Sequence, residues 1–279
     1  MGRNEAGAVV TGTDAEKLST GKGWSVQHYY YINDSGTGGI CGWSGSGSSM
    51  SFVENHASVA NKSGIKDSTA VGGLIGRLEN QESNTFSMDH CLNTGKVDGP
   101  SNTGGFVGRW KYNGGSIQNS SNTGKIGTEV TSLVSGGMIG SLYDLTDHAR
   151  ILFTGCSNQG EVKGGYAGGL AGRPAVCNTS NQAIFSDCIN TGKVTGTTAG
   201  AGIMANFNNE FMSVSFSRCR NYGTGTNFYG IANYNNGLVR MQDCFDFSGA
   251  GLTRKVSDSD KAKIVNSYYY TKEIEAGMT

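Results

Sequence analysis

The segment Gly168-Gly169-Leu170-Ala171-Gly172 is one copy of a motif that recurs along the chain. Each copy is a Gly-Gly pair, or a near equivalent, followed by two apolar residues, and the copies are spaced by roughly 30 residues, a period typical of repeat architectures. The pairs are Gly38-Gly39, Gly72-Gly73, Gly104-Gly105, Gly136-Gly137, Gly168-Gly169, Ala201-Gly202 and Tyr229-Gly230. A short apolar run bounded by glycines favours a buried strand.

A second motif, Cys-x-Asn-x-Gly, lies between successive Gly-Gly pairs, as in Cys188-Ile189-Asn190-Thr191-Gly192. Apolar and polar residues alternate ahead of it, which predicts a strand with one buried face, and the alternation breaks before the cysteine, which indicates a bulge or corner. The cysteine places are Cys91, Cys156, Cys188, Cys219 and Cys244, and the asparagine places are Asn93, Asn122, Asn158, Asn190 and Asn221. We expect a degraded first copy at Tyr31-Ile32-Asn33 and a shifted second copy at residues 61–64.

These motifs predict an all-β chain coiled as a parallel β-helix, or β-solenoid, of about eight rungs of roughly 30 residues each. One rung cannot bury its own apolar face, but rungs stacked at ~4.8 Å pair each strand with its equivalents above and below. We expect residues 1–25 to be an N-terminal cap or irregular segment. Residues 26–279 are predicted to form a single solenoid domain with a closing strand at 265–271.

Composition excludes several classes of partner. Lys and Arg number 22, as do Asp and Glu, so the net charge is zero, and neither a nucleic acid nor an anionic membrane surface is an expected partner. The chain has no apolar run long enough to insert into a membrane. The segment Met1–Glu5 lacks the apolar core of a signal peptide, which fits either a cytosolic protein or part of a longer secreted chain, and we favour the second.

The cysteines and asparagines are interpreted as structural ladders. Repeat-equivalent residues stack in register, so five cysteines at one place favour a column of buried free thiols over disulfides. Zinc requires paired Cys or Cys/His spacing, and a catalytic cysteine requires a partner histidine, and neither pattern is found. The asparagines are predicted to stack their amides at an inner corner. No cofactor is expected.

A binding site is predicted at the residue that closes each Gly-Gly motif. It follows a buried strand and should therefore begin a solvent-facing turn, where an Arg and aromatic stripe could bind a sugar or an acidic peptide. Including two residues of an adjoining loop, the predicted binding residues are Trp43, Arg77, Arg109, Trp110, Tyr112, Arg173 and Tyr234. The alternative is that these are solvated turn residues. Asp144 and Asp147 are a candidate pair of ligands for a hard cation such as calcium, unless they are simply solvated.

No catalytic row is found. Glycoside hydrolysis needs two carboxylates set across the scissile bond. The place before the cysteine holds Asp187 and Asp243, but Arg218 separates them. We therefore expect a non-catalytic protein. The alternatives are a carbohydrate-active β-helix enzyme, either a polysaccharide lyase or a glycoside hydrolase, and a purely structural stalk.

The phrases Gly168-Gly169-Leu170-Ala171-Gly172 and Cys188 to Gly196 (Cys-Ile-Asn-Thr-Gly-Lys-Val-Thr-Gly) resemble GLUG-type repeats over roughly residues 26–250. This resemblance implies a secreted or wall-attached, adhesin-like bacterial surface protein with a right-handed β-helix. We expect a monomeric module within a longer chain, whose loop face binds a host glycan or protein. Some β-helices of similar build are polysaccharide lyases.

Overall fold

A computed structural model shows an all-β solenoid built from parallel strands. The structure describes residues 3–4, 9–12, 36–44, 49–61, 69–80, 85–128, 132–205, 212–233, 238–253 and 262–270. Within these residues there is no helix, and strands about one repeat apart pair in parallel, as Gln182–Ser186 does with Ser213–Ser217. The predicted all-β, parallel solenoid is confirmed.

Two long sheets are named here after residues that recur in them. The Asn sheet contains Arg3–Asn4, Glu54–Asn55, Leu92–Asn93, Ser121–Asn122, Ser157–Asn158, Ile189–Asn190, Arg220–Asn221, Phe245–Asp246 and Tyr268–Tyr269. The Phe sheet contains Ser49–Ser51, Phe86–Asp89, Gly115–Gln118, Arg150–Thr154, Gln182–Ser186, Ser213–Ser217, Val239–Gln242 and Ala262–Val265.

Two further long sheets and a short one complete the architecture. The Gly sheet contains Gly36–Gly38, Ala70–Gly72, Asn102–Gly104, Val134–Gly136, Val162–Gly168, Val194–Ala201 and Gly225–Tyr229. The Arg sheet contains Cys41–Ser44, Ile75–Asn80, Val107–Tyr112, Ile139–Leu145, Ala171–Ala175, Met204–Ala205 and Ala232–Asn233. The Val sheet contains Val9–Gly12, Ser58–Asn61 and Val97–Asp98.

The ends of the described chain differ in detail from the expected domain limits. Arg3–Asn4 and Val9–Gly12 lie in the segment expected to be irregular, yet they pair with Glu54–Asn55 and Ser58–Asn61. Two strands, Ala262–Val265 and Tyr268–Tyr269, lie near the place of the single closing strand expected at 265–271, and residue 271 is outside the described residues.

The apolar side chains form two separate cores. The larger core is filled by side chains of the Phe and Arg sheets together with the cysteines. In it, the Phe185 ring stacks on the Phe153 ring at 4.4 Å and on the Phe216 ring at 5.2 Å. The smaller core consists of Val59, Val71, Val97, Ile126, Val162, Ala167 and Val194. Each fully buried Val, Ile or Phe stabilises the stack by roughly 1.5–3 kcal/mol, so both cores resist separation of the rungs.

The break in alternation before each cysteine is a corner with left-handed backbone. The residues at this place have φ between 45° and 61°. They are His90, Asn119, Gly155, Asp187, Arg218 and Asp243. The corner reverses the parity of the chain, so both the phenylalanine column before it and the cysteine after it point into the larger core.

Candidate functional site

The asparagine column is a continuous ladder of buried amides. The side-chain Nδ2 of each residue donates to the Oδ1 of the next, at 2.7–2.8 Å. The ladder contains Asn55, Asn93, Asn122, Asn158, Asn190 and Asn221. Each Nδ2 also donates to the backbone carbonyl two residues further on, for example from Asn158 to Gly160 at 2.9 Å. Because that carbonyl can only accept, it fixes the orientation of every amide in the ladder.

The ladder has a direction and ends on a carboxylate. Its donors all point towards the C-terminal rungs, so its last N–H belongs to Asn221, which donates to Asp246 Oδ1 at 2.8 Å. Ser248 supplies further donors to Asp246 from its backbone N and its Oγ, at 3.1 and 2.7 Å. Aligned amides add their dipoles, and an acidic group at the positive end of such an array is stabilising, as it is at the N-terminus of a helix.

The ladder also explains the second glycine of each Gly-Gly pair. A Cβ added to Gly137 would lie 2.6 Å from Asn158 Oδ1 and 2.0 Å from the Gly169 carbonyl oxygen. Gly73 and Gly169 are crowded in the same way by Asn93 and Asn190. The two sequence motifs are therefore parts of one packed unit, since the amide fills the space that a side chain would need.

One of the expected degenerate copies is placed differently in the structure. Asn55, rather than Asn61, pairs in register with Asn93. Asn61 lies instead at the end of a Val-sheet strand, where its Nδ2 donates to Thr37 Oγ1 at 3.2 Å. Asn33 lies outside the described residues.

The cysteine column consists of buried free thiols. Cys91, Cys156, Cys188, Cys219 and Cys244 are all free and at most 2% exposed. Burial raises the pKa of the Cys188 and Cys219 thiols. Thiols held in this way remain protonated at neutral pH and are poor nucleophiles and metal ligands.

Serine replaces cysteine in this column without a loss of hydrogen bonding. Ser120 Oγ accepts from the Cys91 backbone N at 3.0 Å and donates to the Gln118 carbonyl. Ser267 repeats the pattern, accepting from the Cys244 backbone N at 3.0 Å and donating to Val265 O at 2.9 Å. The place therefore accepts serine as well as cysteine, because the polar atom of either side chain can reach a backbone group.

The predicted binding residues lie in register on the Arg sheet, but their exposure differs from the expectation. Trp43 pairs with Arg77 and Arg77 with Arg109, and Ser141 separates Arg109 from Arg173. Trp43 is 39% exposed and Arg173 is half-buried, whereas Arg77 and Arg109 are only 9% and 5% exposed. The expectation of solvent-facing side chains is wrong for these two arginines, because the strands continue past this place and neighbouring side chains cover them.

Trp110 is a core residue and not a loop residue. It lies within the strand Val107–Tyr112, next to Leu78 and Leu142 in register, and is fully buried in the larger core. Its ring meets Phe86 edge-on at 5.9 Å, and its Nε1 donates to Asn113 O at 2.9 Å. The expected ligand-binding role is therefore wrong for Trp110.

Gly115 accommodates the indole of Trp110. A Cβ at Gly115 would lie 2.6 Å from the Trp110 ring and 2.1 Å from the Phe86 carbonyl oxygen. Gly115 pairs with Ile151, and its place holds apolar side chains in other rungs. The glycine at this place of the apolar column is thus explained by a large side chain that reaches it from another segment.

Charged side chains next to the arginine row form a paired network. Glu79 binds Arg77 through a short ion pair, accepts from Trp43 Nε1 at 3.1 Å and lies 3.8 Å from Lys111 Nζ. Lys111 Nζ is also 3.6 Å from Asp144 Oδ2 and 4.4 Å from the centre of the half-buried Tyr112 ring. Glu79 and Lys111 are therefore the two centres of this network, since each contacts three of its members.

Two guanidinium groups lie over tyrosine rings. The Arg109 guanidinium is 4.8 Å from the centre of the Tyr143 ring, and that of Arg173 is 4.8 Å from the centre of the Tyr166 ring. Such contacts hold the planar group against the ring face and leave its edge available for hydrogen bonds. The outer side of the Arg sheet, with Tyr166 beside it, is called the arginine face. Its residues are Trp43, Arg77, Glu79, Arg109, Lys111, Tyr143 and Arg173.

The two candidate cation ligands have different partners. Asp144 faces the Lys111 ammonium group, and Asp147 Oδ1 accepts from Asn178 Nδ2 at 2.6 Å. The described residues contain no group of three or more His, Cys, Asp or Glu side chains arranged to hold a metal ion. Tyr234, the last predicted binding residue, lies outside the described residues.

Sequence reasoning missed Glu79, Lys111, Tyr143 and Tyr166 as members of the site. The signal for the first three was a second alternation after each Gly-Gly motif. Arg77, Leu78 and Glu79 align with Arg109, Trp110 and Lys111, so a buried residue lies between two outward ones. Tyr166 carried no such signal, because it belongs to the Gly sheet and meets Arg173 only in the folded chain.

Comparison of the chain with protein-family models, with curated proteins and with solved structures found no match. Among the residues that the structure describes, there is no helix with the length and apolar character needed to cross a bilayer.

Proposed function

We propose that this chain is a non-catalytic binding module of a bacterial surface protein, and that it binds a host glycan or protein through the arginine face and the loops that adjoin it. The observation that carries this proposal is the row of aromatic and guanidinium groups on a rigid sheet. Trp43 is partly exposed at one end of the row, and Arg173 lies over Tyr166 at the other.

The rigid scaffold supports a binding role. The strands that carry Arg77, Arg109 and Arg173 have paired neighbours on both sides and pack on the larger core, and the edge strand Cys41–Ser44 pairs with one neighbour, so the side chains of the row keep their spacing without a ligand. A surface ordered in advance loses little conformational entropy on binding. Aromatic and Arg side chains are also the residues most enriched at binding hot spots.

The finer description of the molecule belongs to the same proposal. We infer a right-handed coil of about eight rungs, supported by long sheets of seven to nine strands and by the strong preference of parallel crossovers for the right hand. The resemblance to GLUG-type repeats supports an extracellular or wall-attached location and a monomeric module within a longer chain.

The charges of the arginine face support a non-catalytic role over a carbohydrate-active enzyme. Glu79 and Asp144 both lie near Lys111, and two neighbouring carboxylates are what a carbohydrate-active enzyme would need. Glu79, however, is already bound by Arg77, Trp43 and Lys111. A carboxylate whose oxygens are already held by protein donors is not available to a substrate.

An array of host glycans and extracellular-matrix proteins tests this proposal. We expect binding above background that falls in the Trp43→Ala variant and persists in a control variant on the opposite side, Leu152→Ala, which changes an exposed residue of the Phe sheet. No binding to any member would favour the structural stalk instead. Release of reducing ends from pectin or mucin would show that the protein is an enzyme.

A further inference from the structure

The outer side of the Asn sheet changes in character along the stack. The place that follows each member of the asparagine ladder is exposed, and in four successive rungs it holds Thr94, Thr123, Gln159 and Thr191. In the next three rungs the same place holds Tyr222, Phe247 and Tyr270. Each of these three is fixed in register by a hydrogen bond of 2.8 Å from its backbone N to a carbonyl oxygen of the preceding rung. A polar column therefore becomes an aromatic one.

A second aromatic column lies beside the first. Phe245 pairs in register with Tyr268, and these residues stand two places before Phe247 and Tyr270 on the same face of their segments. The five rings of the two columns are called the aromatic patch: Tyr222, Phe245, Phe247, Tyr268 and Tyr270. Phe245 is half-buried, and the other four are 39–58% exposed. Exposed apolar side chains that are collected in one place mark an interaction site, whereas scattered ones do not.

Tyr222 presents an open ring face at the edge of the patch. Its ring lies 4.4 Å from that of Phe247 with the two planes within 6°, so the rings stack along the axis of the solenoid. The equivalent residue in the preceding rung is Thr191, whose side chain is too small to cover the other face of the Tyr222 ring. Contacts with Phe245 at 6.2 Å hold the Phe247 ring in place beneath it. The result is a flat, pre-ordered ring face above an exposed threonine.

The size of the patch favours a small ligand over a second protein. An aromatic side chain buries about 150–250 Å² at most, so five rings that are roughly half exposed offer on the order of 500 Å². Each partner in a stable protein–protein interface buries about 800 Å². The patch is therefore too small for a stable dimer of this chain but large enough for a few sugar residues.

The chemistry of the patch favours a neutral sugar. None of its five side chains carries a charge, and the hydroxyl groups of Tyr222 and Tyr268 have no hydrogen-bond partner among the described residues. A ligand for such a surface has to offer an apolar face to the rings and polar groups at its edge. A hexose ring has both, because C–H groups cover one of its faces and hydroxyl groups surround it.

We propose that the aromatic patch is a second binding site, specific for a neutral glycan. One hexose ring packs its C–H face on the open face of Tyr222, above Thr191, and its hydroxyl groups form hydrogen bonds with the tyrosine hydroxyls. This site is independent of the arginine face, because it lies on a different sheet and shares no residue with it.

Isothermal titration of the full chain with three hexasaccharides tests the ligand class. The probes are β-1,4-linked glucose, β-1,4-linked galactose and, because the exposed Arg220 lies in register with Phe245, β-free acidic oligogalacturonate. We expect a neutral probe to bind most tightly and its affinity to be unchanged by salt, because no charge pair is involved. Tyr222→Ala should weaken that binding at least about tenfold, since the platform is lost. Tyr222→Phe keeps the ring and should lose only about threefold, since one hydrogen bond is removed.

The matched control is Phe52→Ala. Phe52 is also about half exposed and stacked on a neighbouring ring, that of His90 at 5.0 Å, but it lies outside the aromatic patch. Its variant should bind the neutral probe as the wild type does, and circular dichroism should show all variants folded. Trp43→Ala, on the arginine face, should also leave this binding unchanged.

Four results would overturn the proposal. They are no binding of either neutral probe, tighter binding of the acidic probe, an unchanged affinity of Tyr222→Ala, and a dimer in light scattering that Tyr222→Ala abolishes. Loss of neutral-glycan binding in Trp43→Ala but not in Tyr222→Ala would overturn this proposal and leave the proposed function intact. Loss in Tyr222→Ala, with array binding unaffected by Trp43→Ala, would instead remove the role of the arginine face and leave the aromatic patch as the binding site.

Discussion

The asparagine ladder and the arginine face are both columns of polar side chains in register, but they obey different rules. Inside, the residue is Asn in six successive rungs, and Asp246 ends the column. Outside, the corresponding row reads Trp43, Arg77, Arg109, Ser141 and Arg173. The difference shows that a column in a repeat protein keeps one residue type where each side chain must form a hydrogen bond with the next.

The physical reason is the availability of partners. Each buried amide has to donate to its neighbour and to a backbone carbonyl, since no water reaches it, and only a side chain that both donates and accepts can continue the ladder. On the arginine face, side chains from neighbouring columns satisfy the charges, as Glu79 does for Arg77 and Lys111. The residue types along such a row can differ from rung to rung, and these differences allow a specific ligand site to form.

The largest expected effect is a difference in stability between variants on the inner and the outer face of the Arg sheet. Trp110→Ala should destabilise the protein by about 3–5 kcal/mol, because a fully buried indole is lost from the larger core and a cavity remains. Trp43→Ala on the outer side should cost less than about 1 kcal/mol. Denaturant unfolding followed by circular dichroism measures both, and similar losses would contradict the division into inner and outer faces.

The next effect tests whether the amides act as a ladder. Asn190→Ala removes the donor to Asn221 Oδ1 and to the Gly192 carbonyl oxygen, as well as the acceptor for Asn158, and should cost about 2–4 kcal/mol. Thr191→Ala, at the adjacent exposed place, is the control and should change stability by less than about 1 kcal/mol. If the two variants have the same thermal midpoint, the ladder does not stabilise the stack.

The smallest effect concerns an exposed ion pair at the left-handed corner. Arg218 binds both oxygens of Asp187 at 2.7 Å, and these hydrogen bonds lower the pKa of the Asp187 carboxyl. A lowered carboxyl pKa stabilises the fold at neutral pH, and this contribution is lost as the pH falls from the ordinary value of about 4 towards the lowered one. In the Arg218→Gln variant, the stability that the protein loses as the pH falls should therefore be slightly smaller. An unchanged profile of thermal midpoint against pH between 2 and 6 would show that the pair contributes nothing measurable.

Prediction from sequence succeeded where it depended on periodicity and was wrong where it depended on side-chain direction. The Gly-Gly and Cys-x-Asn-x-Gly motifs were sufficient for the parallel solenoid, for the cysteine ladder and for five of the six asparagines of the amide ladder, because equivalent places of a repeat become neighbours. Asn55 was missed because its copy of the motif was expected at residues 61–64. Trp110 was misplaced because a solvent-facing turn was expected to begin at Arg109, whereas the strand continues to Tyr112. A shift of one position along a strand turns a side chain from one face to the other.

Local sequence was enough to specify which residues stack on their own equivalents, since stacking depends only on the period of the repeat. Contacts between different columns arose only on folding: the indole of Trp110 over Gly115, and the Arg173 guanidinium over Tyr166. These contacts join separate segments whose distance is set by the width of the rung and the packing of the sheets. No period in the chain encodes that width, so the composition of the arginine face depended on the tertiary structure.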